Sequence, residues 1–288
     1  MFDLTFVGLI ALYLVVGSLA GMSTGFLGGG GGVITVPILI YVFGLLGYPG
    51  NASVHTAVGT SLFVIIFNAA SSSLVHLKRD IIHHRVLIVM VAAGILGAVA
   101  GATASSMTAS PIFKKLLGSF LLVTALRFFR APRSGVQNEG LLHEGAAVEC
   151  PVNERRYPRK TFVLCGLIGF FSGFVATFFG IGGGAITIPL GIILVRFTMI
   201  EAICYSTCLM TVCTVVGVIV LMIAGLSSPE RLPHSIGYVN YIAGLTMVVS
   251  GTVTAKWAAA KVHTINQVVL TRIVMVVIIV AAVGLFIK

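Results

Sequence analysis

The sequence predicts an all-α polytopic membrane protein made of two inverted-topology repeats of about five membrane segments each, with glycine-broken helices near the membrane interior. Three observations predict it. Hydrophobic residues make up 58% of the chain and charged residues 9%, with a mean hydropathy of +1.10, whereas a soluble domain carries about 25% charge. The stretch 25–37, GFLGGGGGVITVP, returns at 178–189 as FFGIGGGAITIP. With Pro37 set on Pro189, Gly28 meets Gly180, and Gly30, Gly31 and Gly32 meet Gly182, Gly183 and Gly184. The apolar runs fall into two sets of five on either side of a polar stretch, and an odd number of crossings turns the second set over.

The first run, 5–25, is just long enough at 1.5 Å per residue to cross a hydrocarbon core of about 30 Å. It ends in Gly28 to Gly32, and since each glycine costs ~1 kcal/mol against alanine in a helix, the helix breaks there. The return run, 33–46, gives only ~21 Å of helix. The glycine turn therefore lies inside the membrane, where unwound backbone survives only if protein buries it or water reaches it. Gly47, Pro49, Gly50 and Asn51 form a loop without Lys or Arg, followed by the third run, 53–75. His76, Lys78, Arg79, Asp80, His83, His84 and Arg85 then crowd one connection, which marks the cytoplasmic face. The fourth run, 86–104, carries Gly94, Gly97 and Gly101, a small-residue face for close helix packing. The fifth, 112–129, finishes among Arg127, Arg130 and Arg133, again a cytoplasmic end.

Residues 131–160 are a polar linker, with Glu139, Glu144, Glu149 and Glu154 among several Arg. They divide a first membrane repeat, 1–130, from a second, 161–288, whose runs are 161–179, 185–195, 203–224, 236–257 and 264–287. This plan puts the linker inside and both termini outside. The N-terminus lacks a basic region ahead of its apolar run, so it reads as a membrane segment rather than a cleaved signal. The net charge of +10 sits between apolar runs, where it orients the chain, and no nucleic-acid partner is expected.

Few residues are suited to chemistry. Thr60 and Ser61, after Gly59, and Ser206 and Thr207, after Tyr205, each lie ~7 to 12 Å into a helix, from opposite faces. Near the midplane these hydroxyls, with the free N–H groups of Gly29, Gly30, Gly31, Gly182 and Gly183, would bind an anion without a buried charge. The alternative is that they bond to their own helices or join helices together. Arg272, inside the last run, either attracts the anion or snorkels to the surface. Asp80, His83 and His84 have helical spacing that would suit a metal, but their basic surroundings read as a solvated loop, and no metal site is expected. Cys204 and Cys208 share a helix face; with Cys213 they either relay sulfur or serve as small apolar filler. His55 stands near the outer mouth. Of the eight acids, only Glu201 approaches a membrane edge, which leaves no mid-membrane proton carrier. The glycines are not followed by the Gly-Lys-Ser/Thr of a nucleotide loop, so neither a cofactor nor an enzymatic centre is expected.

GFLGGGGGVITVP, the second GIGGGAITIP and AVGTS at 57–61 resemble the TauE/SafE family of sulfite-exporter-like permeases, over essentially the whole chain. The resemblance implies a permease for sulfite, a sulfonate or a related sulfur-containing anion, working by alternating access in the lipid bilayer of a plasma (inner) membrane. A homo-oligomer is left open. The competing reading is an intramembrane sulfur-handling protein using Cys204 and Cys208 in thiol chemistry. Two related half-sites favour the permease, because thiol chemistry needs one asymmetric site.

Overall fold

Gly28, Gly30 and Gly31 take φ values of 59°, 84° and 64°, and Gly180, Gly182 and Gly183 take 72°, 90° and 73°. These are left-handed conformations that glycine adopts without steric cost, so both breaks are the same turn built twice. The structure is a computed structural model that describes residues 2–28, 30–77, 82–130, 158–228 and 232–261. Gly29, Asp80, Arg272, the run 264–287 and most of the linker lie outside the described residues.

Helix α1 (Phe2–Leu27) runs to the first break and α2 (Gly32–Leu45) leaves it. There follow α3 (Gly50–Leu77), α4 (His84–Met107) and α5 (Ser110–Arg130). Helix α6 (Arg159–Phe179) runs to the second break. Helix α7 (Gly184–Leu190) leaves it and continues through a π-helical turn, Gly191–Val195, before α8 (Met199–Leu226). A hairpin of β1 (Ser235–Ile236) and β2 (Val239–Asn240) then leads into α9 (Tyr241–Ala260). Val7–Phe26, Gly50–Val75, His84–Met107, Arg159–Phe179 and Met199–Leu226 are long and apolar enough to cross a membrane, whereas Gly32–Leu45 and Gly184–Val195 are short apolar helices. Apart from that hairpin the described residues form helices and their connections, and the chain is a multi-pass membrane protein.

One expectation needs correction. The run 236–257 does not begin as helix: Ser235 pairs with Asn240 and Ile236 with Val239 around Gly237, whose φ is 57°. The apolar letters Ile236, Tyr238 and Val239 hid the turn. Tyr238 and Val239 are buried because the hairpin is packed, while Ile236 is exposed: Gly237 lies against Met222, and the Tyr238 carbonyl against Gly59. Asn240 then starts α9 by accepting the Ala243 N–H at 3.0 Å.

The closest helix pairs join the two halves of the chain: α1 packs along α9, and α4 along α6, while α3 and α8 cross at the centre. In a bilayer, helices associate through backbone approach rather than hydrophobic exclusion, and glycine permits it. A Cβ on Gly17 would stand 2.5 Å from the Met247 carbonyl, and one on Gly101 2.5 Å from Thr177 Oγ1. The glycine face of α4 thus meets a helix of the other half. Gly173 of α6 faces the Gly94 backbone as Gly21 of α1 faces that of Gly251. Gly21→Ala and Gly173→Ala should therefore cost similar amounts, about 1–3 kcal/mol each from overpacking, read as matched falls in thermal midpoint in detergent.

Candidate functional site

The two glycine turns meet in the core. A Cβ on Gly30 would lie 2.6 Å from the Ile181 carbonyl and 2.9 Å from Gly182 Cα, and one on Gly182 would lie 2.9 Å from Gly30 Cα. Ile65 of α3 and Met210 of α8 close over this crossing. The Ile65 Cδ1 stands 2.9 Å from the Cβ position of Gly32, and the Met210 Sδ 3.0 Å from that of Gly30.

Each broken helix ends in carbonyls that its own ladder cannot satisfy, and the other half supplies the donor. Ser61 Oγ donates to the Gly180 carbonyl at 2.8 Å, and Ser206 Oγ donates to the Gly28 carbonyl at 3.0 Å. One residue earlier in each helix, Thr60 Oγ1 accepts the Asn240 N–H and the Tyr205 hydroxyl accepts the His83 N–H, both at 2.9 Å. Asn240 and His83 are the N-caps of α9 and α4. The corresponding pairs are therefore Ser61 with Ser206 and Thr60 with Tyr205. This corrects the sequence pairing of Tyr205 with Gly59 by one residue. Adjacent small hydroxyl residues made either alignment equally good by residue type, and only the hydrogen bonds separate them.

Thr60, Ser61, Ser206 and Thr207 are all fully buried. Thr207 donates to the Ile203 and Cys204 carbonyls of its own helix, at 3.0 Å each. Gly31 and Gly183 are left-handed N-caps without a capping side chain, so the helices beyond them begin with main-chain N–H groups aimed into the region of the turns. Ser172 braces the second turn by donating to the Gly183 carbonyl at 2.9 Å and touching Thr187; Ala20 holds the matching place behind Gly31. The buried carboxylate Glu201 is committed to starting α8: its Oε2 accepts the Thr198 N–H at 2.8 Å, and Thr198 Oγ1 accepts the Glu201 N–H at 3.3 Å. The arrangement offers neutral donors, which suit an oxyanion, since a fixed buried charge would be far costlier to desolvate.

The other sequence candidates sit elsewhere. His55, 5% exposed, stacks obliquely on Tyr238 at 5.2 Å between ring centroids and lines a cavity of about 380 Å³ with Asn51, Thr108 and Ser228. Cys204, Cys208 and Cys213 are buried thiols outside any disulfide. Among the described residues no group of three metal-ligating side chains occurs. One polar group was not singled out from sequence: Asn68 of α3 is 0% exposed, with neither Oδ1 nor Nδ2 hydrogen-bonded, and Ser72 Oγ is likewise unpartnered. The available signal was a carboxamide inside an otherwise apolar run.

The family model described as Sulfite exporter TauE/SafE matches residues 13–285. A probable membrane transporter protein of Methanocaldococcus jannaschii is 29% identical over 251 residues, covering 86% of this chain and 84% of its own. One of Bacillus subtilis is 26% identical over 273 residues, covering 93% and 94%, and one of Xylella fastidiosa is 27% identical over 252 residues, covering 88% and 87%. No solved structure matches.

Proposed function

Given that the chain belongs to the sulfite exporter TauE/SafE family and is a membrane transporter, we propose that it moves a small sulfur-containing anion, such as sulfite or a sulfonate, across the plasma (inner) membrane by alternating access. The observation that carries this reading is the reciprocal pair of bonds, Ser61 to Gly180 and Ser206 to Gly28. Parting the two turns would release both hydroxyls and uncover the N–H groups beyond Gly31 and Gly183, producing an uncharged oxyanion cradle. Repeats 1–130 and 161–288, inverted relative to one another and joined by a cytoplasmic linker at 131–160, would rock about this crossing. Gly29, Gly30, Gly31, Thr60, Ser61, Gly182, Gly183, Ser206, Thr207 and Arg272 form the expected anion path. In it, Thr60 and Ser61, Ser206 and the turn backbones make the first contacts, with Thr207 holding α8 in shape.

Flux of labelled sulfite, thiosulfate and methanesulfonate into proteoliposomes tests the reading. At least one should accumulate above protein-free vesicles and be displaced by its unlabelled form. Uptake of all three at the protein-free rate would overturn it.

A further inference from the structure

Helix α3 presents Ser61, Ile65, Asn68 and Ser72 at spacings of four, three and four residues, which is one face of a helix. The first two already touch the glycine turns: Ser61 through its bond to Gly180 and Ile65 through its contacts with Gly32 and Gly182. Asn68 follows only ~4.5 Å further along the axis. Its carboxamide lies against Gly251 of α9, where a Cβ would come within 2.7 Å of Oδ1 and 2.9 Å of Nδ2, and within 2.9 Å of the Gly17 carbonyl. Bare glycines on two neighbouring helices leave room for this amide and give it no bond. Both of its polar atoms, Oδ1 and Nδ2, and the Ser72 hydroxyl are buried without a hydrogen-bond partner.

Packing alone gives no account of this. A buried, unpaired amide is penalised for its lost hydration, and a leucine, with the same branching at Cγ and no polar atom, would carry no such penalty. Symmetry does not require it either. The correspondence that pairs Ser61 with Ser206 and Ile65 with Met210 sets Cys213 opposite Asn68 and Gly217 opposite Ser72. Cys213 lies against Gly94 as Asn68 lies against Gly251, so the same niche is filled in one half by a small apolar thiol and in the other by a strong donor. Groups that are paid for in stability and left unused in one conformation are characteristic of sites completed in another.

We propose that Asn68, assisted by Ser72, is a specificity-determining ligand for the transported oxyanion, engaged when α3 parts from the seam between α1 and α9. This assignment rests on the anion-permease reading. The Nδ2 amide supplies two N–H donors and Ser72 one O–H. Three neutral donors within about two helical turns of Ile65, on the face that meets the glycine turns, match the oxygens of a sulfite or sulfonate group, which accept hydrogen bonds at every oxygen. The asymmetry between Asn68 and Cys213 gives the two halves unequal roles in binding.

Thermal melts of purified protein in detergent, with and without sulfite, thiosulfate or methanesulfonate, test it, because a ligand of the folded state raises the midpoint by mass action. Asn68→Leu should melt at or above the wild-type midpoint without anion, yet bind the effective anion about tenfold more weakly or worse. Asn68→Asp should lose the response altogether through like-charge repulsion. A low midpoint with undiminished affinity in Asn68→Leu would mean that the amide is structural and would overturn the assignment. Asn68→Ala, which fits the niche whatever the shape of leucine, guards against misfolding; undiminished affinity there overturns the assignment equally. If wild type responds to none of the three anions, the permease reading falls and this one with it, whereas equal responses in wild type, Asn68→Leu and Asn68→Ala sink this assignment alone.

Discussion

Gly30→Ala should destabilise the protein by roughly 2–5 kcal/mol, and Gly44→Ala should stabilise it by about 0.5–1 kcal/mol. The first figure joins two costs. A φ of 84° is left-handed, which costs a residue bearing a Cβ about 1–2 kcal/mol. The new methyl also meets the Ile181 carbonyl at 2.6 Å and Gly182 Cα at 2.9 Å, main-chain atoms of the opposite turn that cannot swing aside, for another ~1–3 kcal/mol of overpacking. Gly44 is helical with nothing within 4 Å of its Cβ position, so alanine there only removes backbone freedom from the unfolded chain. Thermal or denaturant melts of both variants in one detergent check the prediction. A Gly30→Ala midpoint within error of Gly44→Ala would show that the turns do not press on each other as described.

Ser61→Ala and Ser206→Ala should each cost about 1–3 kcal/mol, because each leaves a buried carbonyl, at Gly180 or Gly28, without its donor. The two bonds hold opposite sides of one crossing. Once either is gone, the other helps less to keep the turns together, so the double variant should depart from additivity by at least ~0.5 kcal/mol. If the serines were independent caps, the two losses would simply add. Melts of the two single variants and the double variant close the cycle. The same proteins, assayed for anion-induced stabilisation, should respond more weakly than wild type, since the hydroxyls are also the first donors offered when the turns part.

The breaks were legible because five glycines in an apolar run have no other stable use, and the short helices beyond them followed from their length. The face Gly94, Gly97 and Gly101 announced close packing, but nothing local says which helix it meets. That partner is Phe170 and Phe174 of α6, a long-range choice made by fit. The hairpin at 235–240 was hidden for a related reason: Gly237 and Tyr238 press their backbone on Gly225 and Met222 of α8, a contact no local pattern announces, and strand or helix cannot be told from a short apolar stretch. At the site, the residue types were legible and the register was not, since Thr60-Ser61 and Ser206-Thr207 look alike as letters while only Ser61 and Ser206 reach the opposing carbonyls. Asn68 escaped because a single carboxamide in a long apolar helix is usually matched by a partner, and that partner's absence is a property of three dimensions.

The pairing of α1 with α9 and of α4 with α6 sets a timetable for biogenesis. Helix α1 leaves the ribosome first, while its partner α9 emerges more than two hundred residues later, roughly ten to fifty seconds at ~5–20 residues per second. Throughout that interval Gly17, Gly21 and Gly25 line a groove with no helix in it, and the first glycine turn lacks the Ser206 that satisfies its Gly28 carbonyl. A nascent first half is therefore an unfinished surface in the lipid, held only by its own helices. Chains stalled after α5 should be short-lived in the cell and become protease-resistant when the second half is supplied as a separate polypeptide.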